Sequence, residues 1–145
     1  MIYCDIHIDK YDWDLYCFFA VDGYYLDDIM EQLWKVGCDG NNAKRAYDNI
    51  KANDLNTGLC YSNPKLRSSV IVTAITSNAS EFAHSFVHEI SHCAVHIAQA
   101  NNIDLKSEEF CYLTGDLAKT LFPFVSDLLC DCCRTKKHYK NDRRY

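Results

Sequence analysis

Alternating and helical patterns of apolar residues divide the chain into a mixed first half and a helical second half. The β-rich runs IYCDIHI (2–8) and WDLYCFFAV (13–21), separated by an Asp-rich turn, predict a β-hairpin. Further along, SSVIVTAIT (68–76) is rich in β-branched residues and predicts a strand. The preceding GLCYS (58–62) is placed to pair with that strand, because an Asn-Pro turn separates the two.

The remaining apolar residues recur at helical spacing. They predict helices in five stretches, at 24–37, 41–53, 77–102, 107–123 and 125–133. Gly37 is predicted to end the first helix, and Ser77 or Ser80 to cap the long third one. Ser107 is the predicted cap of the fourth helix, which Pro123 should stop or kink.

This order of elements predicts an α+β fold. We expect a small antiparallel or mixed sheet that packs against the long helix at 77–102 and an antiparallel helix that follows it. A chain of 145 residues fits one compact domain. That domain is predicted to span 1–133, with a basic C-terminal tail at 134–145.

Charge separates the tail from the rest of the chain. Residues 134–145 hold six Lys or Arg and one Asp, a net of +5, which leaves −10 for 1–133 within the total of −5. An acidic body argues against a nucleic-acid-binding domain. Nucleic acid is therefore not expected as a partner except through the tail, and a solvated terminus is the simpler interpretation of that run.

Hydropathy gives no sign of a membrane segment. No run approaches the ~18 consecutive apolar residues of a membrane span. The first residues, MIYCDIHIDK, carry acids where a signal peptide has a basic segment and an apolar run. We therefore expect a cytoplasmic protein with no membrane partner, with association with a virion as the alternative. The sequence sets no oligomeric state.

The chain contains nine cysteines. Without an export signal they are predicted to be reduced thiols, and the first six to be buried as small hydrophobes. The last three, Cys130, Cys132 and Cys133, lie close to His138 in CDCCRTKKH. As a second zinc site this segment is incomplete, because it lacks a C-x-x-C pair, and reactive or buried thiols are the alternative.

The stretch EFAHSFVHEISHCAVHIAQA carries histidines every four residues. Residues i and i+4 share a helix face, so His88 and His92 can hold one zinc ion. Glu89 projects beside that face, close enough to polarise a zinc-bound water without being a ligand. His88 and His96 are about 12 Å apart along a helix axis, so one ion cannot bind both. His96, like His84, is therefore predicted to be a flanking residue.

A catalytic zinc site usually has three protein ligands and a water. The next predicted helix begins with SEEFCYLTG, which puts Glu108 and Glu109 in its first turn. Glu108 shares a helix face with three small residues, Cys111, Gly115 and Ala118. Because small residues let helices approach closely, Glu108 is the favoured third ligand and Glu109 the alternative. Both carboxylates are also typical helix-capping groups, which is the simpler interpretation.

The segments FVHEISHCAVHI and SEEFCYLTG together resemble the zincin metallopeptidases, and specifically their glutamate-zincin (gluzincin) branch. In that branch H-E-x-x-H is followed, on the next helix, by a glutamate with a small residue three positions on. The resemblance covers about residues 57–122 and extends to small zincin-like proteins of gut bacteria and their phages. It implies a minimal zincin-like domain in which His88, His92 and Glu108 hold zinc. Tyr112 stands where the family usually has Asp or Asn, which puts the support of a ligand histidine in doubt.

The implied function is a zinc-dependent metallopeptidase that cleaves a peptide or protein substrate, with Glu89 as general base. A substrate segment is expected to add as an extended strand beside SSVIVTAIT. One alternative is a zincin-shaped domain that binds zinc but acts as a structural or interaction protein, since few residues remain for substrate subsites. Another is a factor that acts near nucleic acid through the tail, with a structural zinc. Glu89 favours the peptidase, because a structural site does not need it.

Overall fold

The computed structural model describes residues 1–137, so residues 138–145 of the predicted tail lie outside the described part. The strands within it are β1 (Ile2–Ile8), β2 (Trp13–Val21), β3 (Gly58–Asn63) and β4 (Ser68–Ala74). They form a four-stranded sheet in the order β1-β2-β4-β3. β1 with β2 and β3 with β4 are antiparallel pairs, whereas β2 and β4 pair in parallel. Both predicted strand pairings are therefore confirmed.

Helices account for most of the second half of the chain. Across residues 1–137 the helices are α1 (Leu26–Lys35), α2 (Gly40–Lys51), α3 (Ala79–Ala100), α4 (Glu108–Val125) and α5 (Asp131–Lys137). Short 3-10 turns occur at Asp9–Tyr11, Gly23–Tyr25 and Ser126–Leu129. The predicted α+β class is confirmed, with a mixed sheet. In this part of the chain no helix has the length and apolar character to cross a membrane.

Alternation along the strands distributes apolar side chains over two cores, one on each face of the sheet. On β2, Trp13 and Leu15 pack on the face that also receives Phe82 of α3 and Leu113 of α4. Phe18 packs on the opposite face, with the buried residues of α1 and α2. α3 lies against β3 and β4 on the first face, with α4 alongside it. The histidine-bearing helix is thus fixed by the sheet on one side and by α4 on another.

The cap of α3 differs from the prediction. Asn78 caps this helix, and its side-chain oxygen accepts a hydrogen bond from the N–H of Glu81 at 2.9 Å. Ser77 and Ser80 were the predicted caps, and both predictions are wrong. Asn78 has the extended backbone that an N-cap requires, whereas Ser80 already lies inside the helix and donates its hydroxyl to the Asn78 side chain.

The start of α4 is as predicted and its end is not. The Ser107 side chain accepts a hydrogen bond from the N–H of Phe110 and so caps the helix. The helix does not stop at Pro123 but continues to Val125. A proline in the last turn removes one backbone donor, which costs less than it would in the middle of the helix.

α4 turns large apolar residues, not small ones, towards the core. Its buried residues are Leu113, Leu117, Leu121 and Val125. Of the small residues predicted to face α3, Cys111 is exposed and Gly115 is surrounded by open space. At 3.6 residues per turn, Glu108 lies with them on the far side from the leucines. The packing argument that favoured Glu108 is therefore wrong, because the leucines bury more apolar surface.

Hydrogen bonds on both sides of the predicted boundary at residue 133 join the chain to the rest of the domain. Asp131 Oδ1 accepts a hydrogen bond from the N–H of Ala79 at 2.7 Å. Arg134 donates to Thr76 Oγ1 at 3.2 Å and to the carbonyl oxygen of Leu128 at 3.3 Å. The first residue of the predicted tail therefore packs on the domain, where it holds α5 against the junction between β4 and α3.

Candidate metal centre

Two imidazoles of α3 lie at the spacing of two ligands on one ion. His88 Nε2 and His92 Nε2 are 3.2 Å apart, and both residues are exposed. Nitrogens bound at ~2.05 Å in a tetrahedral zinc site are about 3.3 Å apart. The helix brings the two side chains to one face, because residues i and i+4 are neighbours there, and their rotamers set the distance between the nitrogens. His88 and His92 therefore fit the metal in their donor type and in their separation.

The outer histidines of α3 are not part of this pair. Ring centroids are 6.2 Å apart for His84 and His88 and 6.4 Å for His92 and His96, against 4.8 Å for the central pair. His96 Nδ1 instead lies 2.8 Å from the hydroxyl oxygen of Ser62 on β3. It therefore acts as a flanking residue that joins α3 to the sheet.

Glu89 is a buried carboxyl next to the histidine pair, with only 2% of the residue exposed. Its Oε1 accepts a hydrogen bond from Thr57 Oγ1 at 2.9 Å and lies 4.0 Å from His88 Nε2. Burial raises the pKa of this carboxyl, while the Thr57 hydrogen bond and the nearby His88 and His92 oppose the rise. A carboxyl with a raised pKa is suited to accept and return a proton.

Gly58 lets the edge of the sheet approach Glu89. A Cβ at this position would lie 2.0 Å from the carbonyl oxygen of Val72 and 3.0 Å from Glu89 Cγ. Its φ of +154° is also one that L side chains rarely adopt. Sequence analysis did not identify Thr57 or Gly58 as site residues. A glycine at the start of a strand pattern is the signal that could have suggested a close backbone approach.

The predicted third ligand is not brought to the pair. Glu108 and Glu109 are exposed in the first turn of α4. Among residues 1–137, the one group of three His, Cys, Asp or Glu ligand atoms that all lie within 4.8 Å of one another contains only cysteines. Neither glutamate therefore completes a three-ligand group with His88 and His92, and the identity of a third ligand stays a prediction.

The predicted place for a substrate strand is wrong. The strand SSVIVTAIT corresponds to β4, which pairs with β2 on one side and with β3 on the other. Its backbone has no free edge on which another strand could form hydrogen bonds. The edge strand on this side of the sheet is β3, which packs directly against α3.

A surface cavity of about 470 Å³ adjoins the histidine pair. Ala83, His84, Val87 and His88 line it. Val87 is 55% exposed, so the cavity offers an apolar surface beside one of the two imidazoles.

A chain of hydrogen bonds runs from the histidine helix through β3 and β4 to the start of β2. The Trp13 indole N–H donates to Ser69 Oγ at 2.9 Å, and Ser69 and Ser62 share a hydrogen bond at 2.7 Å. Ser62 in turn contacts His96. Burial, and to a lesser extent the nearby His92, lowers the pKa of His96. The network therefore fixes the position of β3 against α3 one turn beyond the metal pair.

All nine cysteines are reduced thiols. The first six along the chain differ from the last three in their surroundings. Of the first six, four are buried as predicted, Cys60 is half-buried and Cys111 is exposed, so the burial prediction is wrong for Cys111. The buried ones are Cys4, Cys17, Cys38 and Cys93. The hydrogen bond with Cys93, together with burial, raises the pKa of Cys60 well above its ordinary value. Apart from Cys111, these thiols belong to the cores and not to an accessible site.

The last three cysteines form the group that could hold a metal ion. Cys130 and Cys132 interact through sulfurs 2.8 Å apart, and the sulfurs of Cys132 and Cys133 are 3.9 Å apart. The Cys132 thiol and two backbone N–H groups lower the pKa of Cys130 to about 7. The same contact raises the pKa of Cys132 to about 11. His138, the fourth residue considered for this site, lies outside the described residues.

Comparison with known proteins found no match for this chain. No protein family matches it. No curated protein and no solved structure matches it either. The function must therefore be argued from the side chains themselves.

Proposed function

We propose that this protein is a zinc-dependent metallopeptidase that cleaves a peptide or protein substrate with Glu89 as general base. The observation that carries the proposal is the buried carboxyl of Glu89, 4.0 Å from one nitrogen of a histidine pair with zinc spacing. The resemblance of HEISH and its surroundings to the zincins supports the same interpretation.

No structural role explains the burial of Glu89 as well as the proposed catalytic role does. Burying an ionisable carboxyl costs free energy unless it is paired and hydrogen-bonded. Glu89 has one hydrogen-bond donor, Thr57, and within residues 1–134 no Lys or Arg forms an ion pair with it. Proton transfer at a metal site requires a desolvated carboxyl beside the metal ligands. A purely structural zinc site does not require such a carboxyl.

The chain's own residues divide the proposed reaction between them. His88 and His92 would hold the ion through their Nε2 atoms. Zinc, when bound, would act as a Lewis acid that polarises the peptide carbonyl and makes the attacking water more acidic. Glu89 would accept the proton of that water and return it to the leaving amine, while Thr57 orients its carboxylate.

The third ligand is the least constrained part of the proposal. Glu108 and Glu109 remain the predicted alternatives, as a carboxylate from the helix that follows H-E-x-x-H. Both are exposed in the first turn of α4. Replacing each one separately with Gln and measuring zinc affinity distinguishes them, since a lost ligand weakens binding and a lost capping charge does not.

The decisive test is Glu89→Gln, with Glu81→Gln as the matched control on the same helix. Glu81 is exposed in the first turn of α3, distant from the histidine pair. We expect Glu89→Gln to keep its zinc and to lose cleavage of casein or a peptide library by about 10²–10⁴-fold. The wild type and Glu81→Gln should cleave equally, and a chelator should stop both. Undiminished cleavage by Glu89→Gln would show that the proposed mechanism is wrong.

A second candidate function is a zincin-like protein that binds metal without catalysis and acts in structure or interaction. The observation that favours it is that, among residues 1–137, no His, Cys, Asp or Glu joins His88 and His92 in a group of three whose ligand atoms all lie within 4.8 Å of one another. Bound zinc with no cleavage across a broad peptide library would select this candidate over the peptidase.

A further inference from the structure

We propose that Cys130, Cys132 and Cys133 form a second metal site that binds Cu(I) through three thiolates. The site lies on the segment after α4 and shares no ligand with His88 and His92. The inference is independent of the peptidase proposal and stands even if the histidine pair performs no catalysis.

The geometry of the three sulfurs is close to that of a metal-bound group. All three lie within 4.8 Å of one another. Three thiolates in a trigonal plane around one ion at ~2.3 Å bonds are about 4.0 Å apart, and Cys132 and Cys133 are at 3.9 Å. Cys130 and Cys132, at 2.8 Å, must open by about 1 Å, which a change of χ1 in an exposed cysteine allows.

The donor set selects a soft ion. No imidazole or carboxylate joins the group within residues 1–137, so sulfur is the donor throughout. Thiolates favour Cu(I) and Zn(II) over harder ions. Structural zinc sites take four protein ligands, whereas three thiolates complete the coordination of Cu(I). The described residues therefore fit Cu(I) better than zinc.

The segment that carries the thiols is held in place by the rest of the domain. The N–H groups of Cys133 and Arg134 donate to the carbonyl oxygen of Cys130 at 3.1 and 3.0 Å, which folds the three cysteines into one turn. Asp131 binds the N–H of Ala79, and Arg134 donates to Thr76. The turn is therefore ordered before a metal arrives, which lowers the entropy cost of binding.

The test uses the full chain carrying His88→Ala and His92→Ala, so that the imidazole pair cannot contribute. The protein is kept under a non-thiol reductant without oxygen and titrated with Cu(I) in competition with a colorimetric Cu(I) chelator. We expect it to withhold about one Cu(I) per chain from the chelator. Adding Cys130→Ser, Cys132→Ser and Cys133→Ser together should abolish that retention.

Cys111→Ser is the matched control, because Cys111 is an exposed thiol on another helix. It should retain Cu(I) as the parent does. A parallel titration with zinc should show retention at least about 10-fold weaker than for Cu(I). Circular dichroism checks that the serine variants are folded, which we expect because none of the three thiols is buried. Loss of Cu(I) from the parent, retention by the triple serine variant, or preference for zinc would each overturn the proposal.

Discussion

The histidine pair of α3 and the cysteine group at 130–133 have opposite strengths as metal sites. The pair supplies two ligand nitrogens 3.2 Å apart and a buried carboxyl beside them. The cysteine group supplies three ligand atoms within 4.8 Å of one another. Its neighbouring carboxylate, Asp131, already accepts a hydrogen bond from the N–H of Ala79. One site has a proton acceptor and too few ligands, and the other has ligands and no available base.

Metal binding and metal catalysis would therefore draw on different parts of this fold. Binding needs donors of the right kind at the right separation, and a single turn of chain can supply them. Catalysis also needs a proton acceptor kept from bulk water, which requires a second element to cover it. At Glu89 that element is the start of β3, where Thr57 and Gly58 lie. The three cysteines of the turn are instead exposed or half-buried.

The largest expected effect comes from removing the close approach between β3 and Glu89. Gly58→Ala places a Cβ 2.0 Å from the carbonyl oxygen of Val72 and 3.0 Å from Glu89 Cγ. We expect the free energy of unfolding to fall by about 2–4 kcal/mol, measured by denaturant titration. Where the protein is still folded, peptide cleavage should be lost while Cu(I) retention by the cysteines is kept.

Gly115→Ala is the control for this change. Gly115 lies in α4, and a Cβ there meets nothing within 4 Å. In a helix interior the substitution should stabilise the protein by about 0.5–1 kcal/mol. If both glycine variants had the same stability, the close contact at Gly58 would not constrain the site.

The next largest effect concerns the assignment of the metal ligands on α3. In a chain that also carries the three cysteine-to-serine changes, His88→Ala or His92→Ala should weaken zinc binding by about 100-fold or more, or ~2.7 kcal/mol. The reason is that a single imidazole nitrogen binds zinc more weakly than two imidazole nitrogens held at ligand spacing. Competition with a zinc-binding dye measures the change.

His84→Ala serves as the control for the ligand assignment. It is the next histidine along the same face, with its ring centroid 6.2 Å from that of His88. Zinc affinity should stay within about twofold of the parent, since helix geometry keeps His84 from sharing an ion with His92. A loss equal to that of His88→Ala would mean that the ion lies towards the start of α3 and that the pair is assigned wrongly.

Local features of the two sites could be predicted from the sequence. The histidine spacing follows from the period of one helix, and the cysteine group from four consecutive residues, so both can be recognised without knowledge of the rest of the fold. The strands and long helices were predictable for the same reason, since each carries its own apolar pattern.

Features that depend on contacts between distant segments could not be predicted. The hydrogen-bond donor of Glu89 is Thr57, 32 positions earlier in the chain. The orientation of α4 was predicted wrongly because small residues on one face were weighed above the leucines on the other. Leu113, Leu117 and Leu121 recur every four residues, and their larger apolar area decides which face is buried. The preference for Glu108 rested on the wrong face for that reason.

The smallest expected effect concerns the reactivity of the Cys130 thiol in the metal-free protein. Cys130 has a pKa of about 7, against an ordinary value of 9.0, because the Cys132 thiol and backbone N–H groups stabilise its thiolate. At pH 7 such a thiol is about half ionised, compared with about 1% for a thiol at the ordinary value. A thiolate of lower pKa is also a weaker nucleophile, so the net advantage in rate shrinks to about fivefold.

We therefore expect iodoacetamide at pH 7 to alkylate Cys130 about five times faster than the exposed Cys111, as measured by mass spectrometry of the peptides. The advantage should disappear as the pH approaches 9, because ionisation of the Cys130 thiol is complete well before then. Cu(I) should protect Cys130 and leave Cys111 reactive, whereas zinc bound at the histidine pair should protect neither. Equal rates at pH 7 would mean that the contact between Cys130 and Cys132 does not stabilise a thiolate at Cys130. The cysteine group would then lack the ready ligand atom that distinguishes it from the histidine pair.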